Sequence, residues 1–353
     1  MIAGLIACSA PAPRSPPATR TVPTTPVTAS TTSTAAESPS TTTPVCTEAA
    51  AVARWPLARR AAQLVVVPAL DGQLRQLGSP ISAGVGGVLL LGSSTPTDLA
   101  AQVGAANRLA PTPLMVMADE EGGGVQRLAE LVESLPWARQ MAATWTPAQV
   151  QAAAVRTARQ MQAVGVTVDL APVLDVDGGD GPNASNPDGL RSFSADPTTV
   201  VRYGTAFADG LLQGGVTPVV KHFPGLGGAT ANTDYGPADT RRLAELRATG
   251  LVPFRAAVAA GAPAVMISNA AVPGLTTLPA SISPAAVQTL LRDELGFHGL
   301  VLTDSLSAGS VSAAGYGIVR AAVAAVEAGA DMVLFGSTLT PAETLLLSPD
   351  NVT

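Results

Sequence analysis

The sequence predicts an α/β protein built as a single (β/α)8 barrel of the TIM type, preceded by a disordered N-terminal linker. From Thr47 onward, short β-branched runs alternate eight times with Ala- and Leu-rich segments of helical length. The runs are continuously apolar, which is typical of parallel strands that are covered on both faces. Polar residues follow these runs where they end, and eight units favour a closed barrel over a doubly wound sheet.

The composition excludes several classes of protein. The chain has 353 residues, with 20 Lys and Arg against 26 Asp and Glu, and no long basic run. We therefore expect no nucleic-acid partner. Two Cys exclude a disulfide scaffold, and two His argue against a histidine-based zinc site. Lys221 is the only lysine, which makes it a residue to follow.

Residues 1–8 resemble the end of a bacterial secretion signal. They form an apolar stretch with small residues just before Cys8, too short to span a bilayer. The run Leu5-Ile6-Ala7-Cys8 resembles a lipobox, in which the cysteine is lipidated and begins the mature protein. We expect a membrane anchor at Cys8 on the extracytoplasmic face of the membrane, with a secretory signal or a disordered N-terminus as the alternatives.

Residues 9–46 are predicted to be a linker. They consist mostly of Ser, Thr and Pro, so they cannot bury enough apolar surface to offset the entropy cost of ordering. Such a linker would hold the domain predicted over residues 47–353 away from the membrane. No role follows from the sequence for Cys46.

The predicted elements follow one another along the body of the chain. The eight predicted strands are 63–68, 87–91, 114–118, 167–174, 217–220, 264–267, 300–303 and 331–335. The helical candidates include 147–164, 196–212, 240–260, 284–295 and 313–328. A further candidate at 341–347 is long enough for only two turns, so the closing helix is predicted to be short or truncated.

Polar side chains mark the ends of five predicted strands, which is where barrel enzymes place their chemistry. In chain order these residues are Asp119, Asp175, Lys221, His222, Ser268, Asn269 and Asp304. Charges that served only the surface would instead be scattered over the helices. The pattern predicts an active site at the carboxyl ends of the strands.

The carboxylates near these strand ends allow two interpretations. One is a hydrolase that works with paired Asp or Glu side chains, and the other is a magnesium site. The carboxylates of such a metal site would be Asp119, Glu120, Glu121, Asp175 and Asp177. Arg127, Arg191 and Lys221 lie in the same segments and would compete with a metal ion, which favours the hydrolase and leaves no metal or cofactor required.

Six segments around the strand ends form a recognisable set. They are Asp119-Glu-Glu-Gly-Gly-Gly-Val-Gln-Arg127, Ala171-Pro-Val-Leu-Asp175-Val, Arg191-Ser-Phe-Ser-Ala-Asp-Pro197, Lys221-His-Phe-Pro-Gly225, Leu291-Arg-Asp-Glu-Leu-Gly-Phe-His-Gly299 and Thr303-Asp304-Ser. Together they resemble family 3 glycoside hydrolases, in the family's order. Within that family the chain is most similar to the bacterial β-N-acetylglucosaminidases of peptidoglycan turnover.

The resemblance implies a retaining, two-step hydrolysis of terminal β-linked N-acetylglucosamine, from peptidoglycan fragments or other saccharides that contain this sugar. Asp304 stands at the family's nucleophile position, although it could also be a helix N-cap. The residues that the resemblance assigns to sugar binding are Asp119, Arg127, Arg191, Lys221 and His222. His222 could instead be a structural histidine. We expect a monomer.

The sequence departs from the family pattern at the acid/base. Related enzymes carry Asp-Ser-His on the loop after the fifth strand, where this chain has Asn232-Thr233-Asp234. Our hypothesis is that Asp234 replaces the histidine as general acid/base, provided that its surroundings raise its pKa. The alternative is a turn-forming aspartate. The glycine-rich loop 225–236 is expected to be mobile and to close over bound sugar.

Two other functions compete with this hypothesis. The missing histidine would permit a catalytically weak or inactive sugar-binding lipoprotein that retains the family's pocket. A β-glucosidase is less favoured, because those members of the family usually carry the acid/base on a further domain.

Overall fold

The computed structural model describes residues 47–336, apart from positions 93 and 129. The described chain divides after Pro56. The part up to Pro56 contains one helix, α1 (Thr47–Val52), and the part from Leu57 onward is the barrel. The predicted anchor at Cys8, the linker 9–46 and the short helix at 341–347 lie outside the described residues.

Eight parallel strands form the barrel. In chain order the strands of the structure are β1 (Val65–Leu70), β2 (Gly87–Leu91), β3 (Met115–Ala118), β4 (Glu120–Gly122), β5 (Val125–Gln126), β6 (Val168–Asp169), β7 (Thr217–Phe223), β8 (Ala264–Ile267), β9 (Leu300–Thr303) and β10 (Val333–Leu334). The antiparallel hairpin β4–β5 stands apart, and the others pair in the order β10-β1-β2-β3-β6-β7-β8-β9. A parallel bridge between Leu302 and Met332 closes the ring. The predicted barrel is confirmed.

Helices cover the outside of the ring. They are α2 (Leu57–Ala62), α3 (Gly78–Ala83), α4 (Leu99–Leu109), α5 (Ala138–Thr144), α6 (Pro147–Ala163), α7 (Pro197–Gly214), α8 (Leu243–Ala248), α9 (Leu251–Ala259), α10 (Gly309–Ala313) and α11 (Ile318–Ala328). A π-helix spans Ala285–Glu294. Thr146 caps α6 and Asp196 caps α7, and these two helices both begin with a proline. Among the described residues, no helix combines the length and the apolar character that crossing a membrane requires.

The structure divides two helices that the sequence predicts as continuous. The segment 240–260 breaks between α8 and α9 at Thr249, whose φ of −132° and ψ of −73° are not helical. The segment 313–328 breaks at Gly315, whose φ of 84° no helix accommodates. The predicted strand 167–174 is interrupted. It forms β6 over only two residues and then pairs again at Val173 with Lys221, because Pro172 has no N–H group for the ladder. Apolar patterns therefore located the elements and missed these interruptions.

Apolar side chains fill the barrel. Buried residues of the ring, among them Leu89, Met117, Val219 and Met266, form one cluster inside it, and a larger apolar layer lies between strands and helices. The interior is therefore packed, and the space for a ligand lies at the carboxyl end of the ring.

Candidate active site

A cavity of about 500 Å³ lies at the carboxyl ends of the strands. Its lining includes the seven residues that the sequence predicts as catalytic or sugar-binding: Asp119, Arg127, Arg191, Lys221, His222, Asp234 and Asp304. The other predicted strand-end residues, Asp175, Ser268 and Asn269, are buried and do not line it. They come from β7, from the segments that follow β3 and β9, and from loops that fold over the ring. The structure thus brings together side chains that are up to 185 positions apart in the sequence.

A buried ion network forms one wall of the cavity. The ammonium Nζ of Lys221, whose side chain is only 2% exposed, lies 2.5 Å from Asp119 Oδ1 and 2.6 Å from Glu121 Oε1. Arg191 holds the same Glu121 through two parallel hydrogen bonds of 2.8 Å, one from Nε and one from Nη2. Two cations and two carboxylates therefore neutralise one another in a place that water hardly reaches.

The charges in this network fix one another's protonation. Burial alone would raise the pKa of Glu121, but Arg191 and Lys221 outweigh burial and hold it far below its ordinary range. Burial alone would lower the pKa of Lys221, but Asp119 and Glu121 raise it. Both groups are therefore charged at neutral pH.

His222 is held in one orientation by Asp175. Its Nδ1 lies 2.6 Å from Asp175 Oδ2, and the main-chain N–H groups of His222 and Leu226 also donate to this carboxylate. Burial, together with the charge of Arg191, lowers the pKa of His222 to about 4, so the imidazole is neutral at pH 7. With the proton assigned to Nδ1, the Nε2 lone pair faces Arg191 Nη2 at 3.3 Å.

Asp304 follows β9 and is anchored to the neighbouring strand. Its main-chain N–H donates to the carbonyl of Ile267 at 2.8 Å, and its Oδ1 accepts from Ser305 N at 2.7 Å. Burial raises the pKa of Asp304. The residue that precedes α10 is Ala308, so the interpretation of Asp304 as a helix N-cap is wrong.

Asp234 lies on the loop after β7, and this loop is fastened to α10. The N–H groups of Gly309 and Ser310 donate to the carbonyls of Asp234 and Thr233, each at 3.0 Å. The loop can approach so closely because residue 309 has no side chain: a Cβ there would lie 2.7 Å from the carbonyl carbon of Tyr235. The main chain of the loop is thus docked on α10, and its predicted closure over bound sugar stays a prediction.

Asp234 is an exposed residue at the cavity, and its carboxyl group is partly buried. Partial burial raises its pKa, Arg191 opposes this effect and Asp119 adds to it. Asp304 and Asp234 influence each other's charge, since ionised Asp234 also raises the pKa of Asp304. The site therefore contains two carboxyl groups in unequal surroundings, one anchored on a strand end and one on a docked loop.

Arg127 differs from the other predicted sugar-binding residues. Its main-chain N–H donates to the carbonyl of Asp119 at 3.1 Å, which places its side chain at the cavity. Within the part of the chain that the structure describes, its guanidinium makes no ion pair, and its Nε is buried without a hydrogen-bond partner. The guanidinium N–H groups of Arg127 are therefore available to a ligand, whereas donors of Arg191 and Lys221 already bind carboxylates of the site.

The five carboxylates of the alternative magnesium site are not brought together. Glu120 turns away to accept from Leu128 N and Gln126 Nε2. Over the described residues, the one group of three potential metal ligands consists of Asp175, Asp188 and His222. Both nitrogens of this histidine already face partners, and the guanidinium of Arg191 would repel a cation there, so the group fits a hydrogen-bonded cluster better than a metal ion.

Sequence reasoning missed two residues of the site. Glu121 was considered only as a metal ligand, although it joins Lys221 to Arg191. Asp188 is fully buried beside Asp175 and His222. Burial raises its pKa well above the ordinary value, and the nearby charge of Asp175 adds to this effect. Its sequence context, Asn-Pro-Asp-Gly, is that of a turn and gave no signal of burial.

Comparison with known proteins adds to this geometry. The family model described as the Glycosyl hydrolase family 3 N terminal domain matches residues 62–347. The beta-hexosaminidase LpqI of Mycobacterium tuberculosis is 41% identical over 265 residues, which are 72% of this chain and 66% of LpqI. The chain thus spans just under two thirds of this relative's length.

Solved structures agree in fold. M. tuberculosis LpqI superposes with a TM-score of 0.76 at 37% identity, over 86% of this chain and 88% of the other. A beta-N-acetylhexosaminidase from Beutenbergia cavernae gives a TM-score of 0.75 at 32% identity, over 83% and 91%. NagZ from Neisseria gonorrhoeae, in complex with N-trifluoroacetyl-D-glucosamine, gives 0.70 at 29%, over 82% and 85%.

Two glutamates each pair with two cations, Glu121 in the buried network and Glu294 at the surface. We predict that their substitution lowers the free energy of unfolding by very different amounts. Glu121→Gln removes one carboxylate from the network, which we expect to lower the free energy of unfolding by about 3–5 kcal/mol. Glu294 pairs with Arg247 and Arg255 at the surface, so Glu294→Gln is the matched control and should cost less than about 1 kcal/mol. Urea denaturation of the three proteins measures both. Equal losses would contradict the network's role.

Proposed function

The chain belongs to glycosyl hydrolase family 3, and on that premise we propose that it is a retaining exo-β-N-acetylglucosaminidase. It hydrolyses terminal, non-reducing β-linked N-acetylglucosamine. The observation that carries the proposal is the pair Asp304 and Asp234, which line one cavity with the network of Lys221, Glu121 and Arg191. The names of LpqI and of the Beutenbergia enzyme, and the acetamido sugar bound to NagZ, support the choice of substrate.

In the first step, a carboxylate oxygen of Asp304 attacks the anomeric carbon. The bond from that carbon to the glycosidic oxygen breaks, and Asp234 gives its proton to the leaving oxygen. The main-chain N–H of Ser305 donates a hydrogen bond to Oδ1 of Asp304, which leaves Oδ2 for attack. In the second step, the ionised Asp234 takes a proton from water, the water oxygen bonds to the anomeric carbon and Asp304 is released.

The remaining polar residues of the cavity orient the sugar. Asp119 and Lys221 offer an acceptor and a donor for its hydroxyl groups, and Arg191 and Arg127 offer guanidinium donors. Because most of these side chains already hold one another, they keep their positions when the sugar enters. Fixed donors and acceptors of this kind favour the geometry of the transition state.

We further propose that the protein is anchored to the membrane and acts on peptidoglycan fragments. A lipid anchor at Cys8, followed by the Ser-, Thr- and Pro-rich segment, would hold the barrel near the cell wall, where peptidoglycan fragments supply N-acetylglucosamine. One observation favours the second candidate, a sugar-binding protein with weak or no catalysis. Asp234 is exposed, and water weakens the rise in its pKa on which proton donation depends.

Substrates with different leaving groups separate these candidates and test Asp234. Asp234→Ala should lower kcat/KM by about 10²–10⁴-fold for a methyl glycoside, whose leaving oxygen needs a proton. It should change the first step little for a dinitrophenyl glycoside, whose leaving group needs none. Asp239→Ala, at an exposed aspartate five positions further along the chain, is the control and should leave kcat/KM for both substrates unaffected. A pure binder would cleave neither substrate, and equal losses on both would refute Asp234 as the acid.

The docking of the loop on α10 gives a second prediction. In Gly309→Ala the new Cβ would collide with the main chain at Tyr235 and shift Asp234, which should cost about 10–100-fold in kcat/KM for the methyl glycoside. The control is Gly236→Ala in the same loop, where a Cβ meets nothing within 4 Å. If both variants behave like wild type in steady-state kinetics, loop docking does not position the acid.

The two carboxyl groups also predict the dependence on pH. The first step needs Asp304 ionised and Asp234 protonated, so kcat/KM should fall on the acid side as Asp304 takes a proton and on the alkaline side as Asp234 loses one. Burial raises both pKa values, so both limbs should lie above the ordinary range of aspartate. In Asp234→Ala the alkaline limb should disappear and the acid limb remain. An alkaline limb that survives would assign it to another group.

A further inference from the structure

Tyr235 lies at the mouth of the cavity, one residue after Asp234, and is 76% exposed. We propose that its ring forms an aglycone subsite, on which the pyranose ring of the leaving sugar stacks. This inference rests on the proposed function and extends it, because it gives the enzyme a preference for saccharide leaving groups over small ones.

The position of Tyr235 follows from the chemistry of the acid. Asp234 gives its proton to the glycosidic oxygen, and this oxygen leaves with the aglycone. A side chain next to Asp234 on the open side of the cavity therefore lies beside the aglycone, whereas Asp304 and Lys221 surround the sugar that is cleaved off. Among the described residues that line this cavity, Tyr235 is the one Phe, Tyr or Trp.

The exposure of this ring contrasts with that of the other two tyrosines. Tyr203 is buried and donates its hydroxyl to the carbonyl of Trp145 at 2.8 Å. Tyr316 packs under the guanidinium of Arg320, whose carbon lies 4.5 Å from the ring centroid. Within the described residues, Tyr235 has neither a side-chain hydrogen bond nor a ring contact of this kind. Its apolar faces are therefore available to a ligand.

The backbone beneath the ring is already fixed. Tyr235 N donates to the carbonyl of Asn232 at 3.2 Å, and Gly309 packs against the main chain of Tyr235. Asn232 N in turn donates to the carbonyl of Ala184, which ties this segment to a second loop at the mouth. A ring on a fixed backbone loses little conformational freedom when a ligand stacks on it.

The chemistry of the ring fits a sugar. A β-linked pyranose presents axial C–H groups on its faces, and these make an apolar patch about as wide as a phenol ring. Tyrosine offers such a patch a flat apolar surface and places one hydroxyl at the edge, where sugar hydroxyls lie. A subsite of this kind selects for the shape of the sugar.

The test compares a substrate that has an aglycone ring with one that has none. The β-1,4-linked disaccharide of N-acetylglucosamine would occupy the subsite, whereas N-acetyl-β-glucosaminyl fluoride would not. Tyr235→Ala should lower kcat/KM for the disaccharide about three- to tenfold and leave the fluoride unchanged. Tyr235→Phe keeps the ring and should retain activity on both. Equal loss on both substrates, or no loss on either, would overturn the subsite.

A binding measurement keeps the inference separate from catalysis. In an Asp304→Ala background, calorimetry should show that Tyr235→Ala weakens binding of the disaccharide about three- to tenfold and leaves binding of the monosaccharide unchanged. If the wild type cleaves neither substrate but this difference in binding is found, the proposed function fails and the subsite stands. If the wild type cleaves both substrates and no difference is found, the subsite fails and the proposed function stands.

Discussion

The buried ammonium group of Lys221 is the constraint on which the rest of the site depends. It sits almost without exposure at the end of β7 and must be paired, because an uncompensated charge in such a place costs several kcal/mol. Asp119 and Glu121 provide the pairing, and Glu121 then fixes Arg191. Three segments that are far apart in the sequence are thereby joined at one point. The same contacts that satisfy the buried charges place donors and acceptors around the cavity.

The two proposed catalytic carboxyl groups are held by different means. Asp304 is fixed through its main chain to β8, so its position belongs to the barrel itself. Asp234 is on a loop, and its position depends on two main-chain hydrogen bonds to α10 and on the missing side chain at Gly309. This division suits their proposed roles, because a nucleophile must meet one carbon atom while an acid/base serves a leaving group and then a water molecule.

The sequence was sufficient to predict the barrel and much of the cavity lining. Continuous apolar runs located the strands, and the rule that chemistry lies at strand ends selected Asp119, Lys221 and Asp304. Side-chain partners could not be predicted, because they depend on how loops fold over the ring. Glu121 meets Arg191 across 70 positions, and nothing in the Asn-Pro-Asp-Gly context of Asp188 indicates that this carboxyl group is buried.

The role of Asp304 as nucleophile is tested most sharply by capture of the covalent intermediate. N-acetyl-β-glucosaminyl fluoride needs no proton to leave, and without the base at Asp234 the second step is slow, so Asp234→Ala incubated with it should accumulate a glycosyl-enzyme. Peptide mapping by mass spectrometry should then find one N-acetylglucosaminyl group on Asp304. Fluoride release without modification of Asp304, or modification of another carboxylate, would show that Asp304 is not the nucleophile.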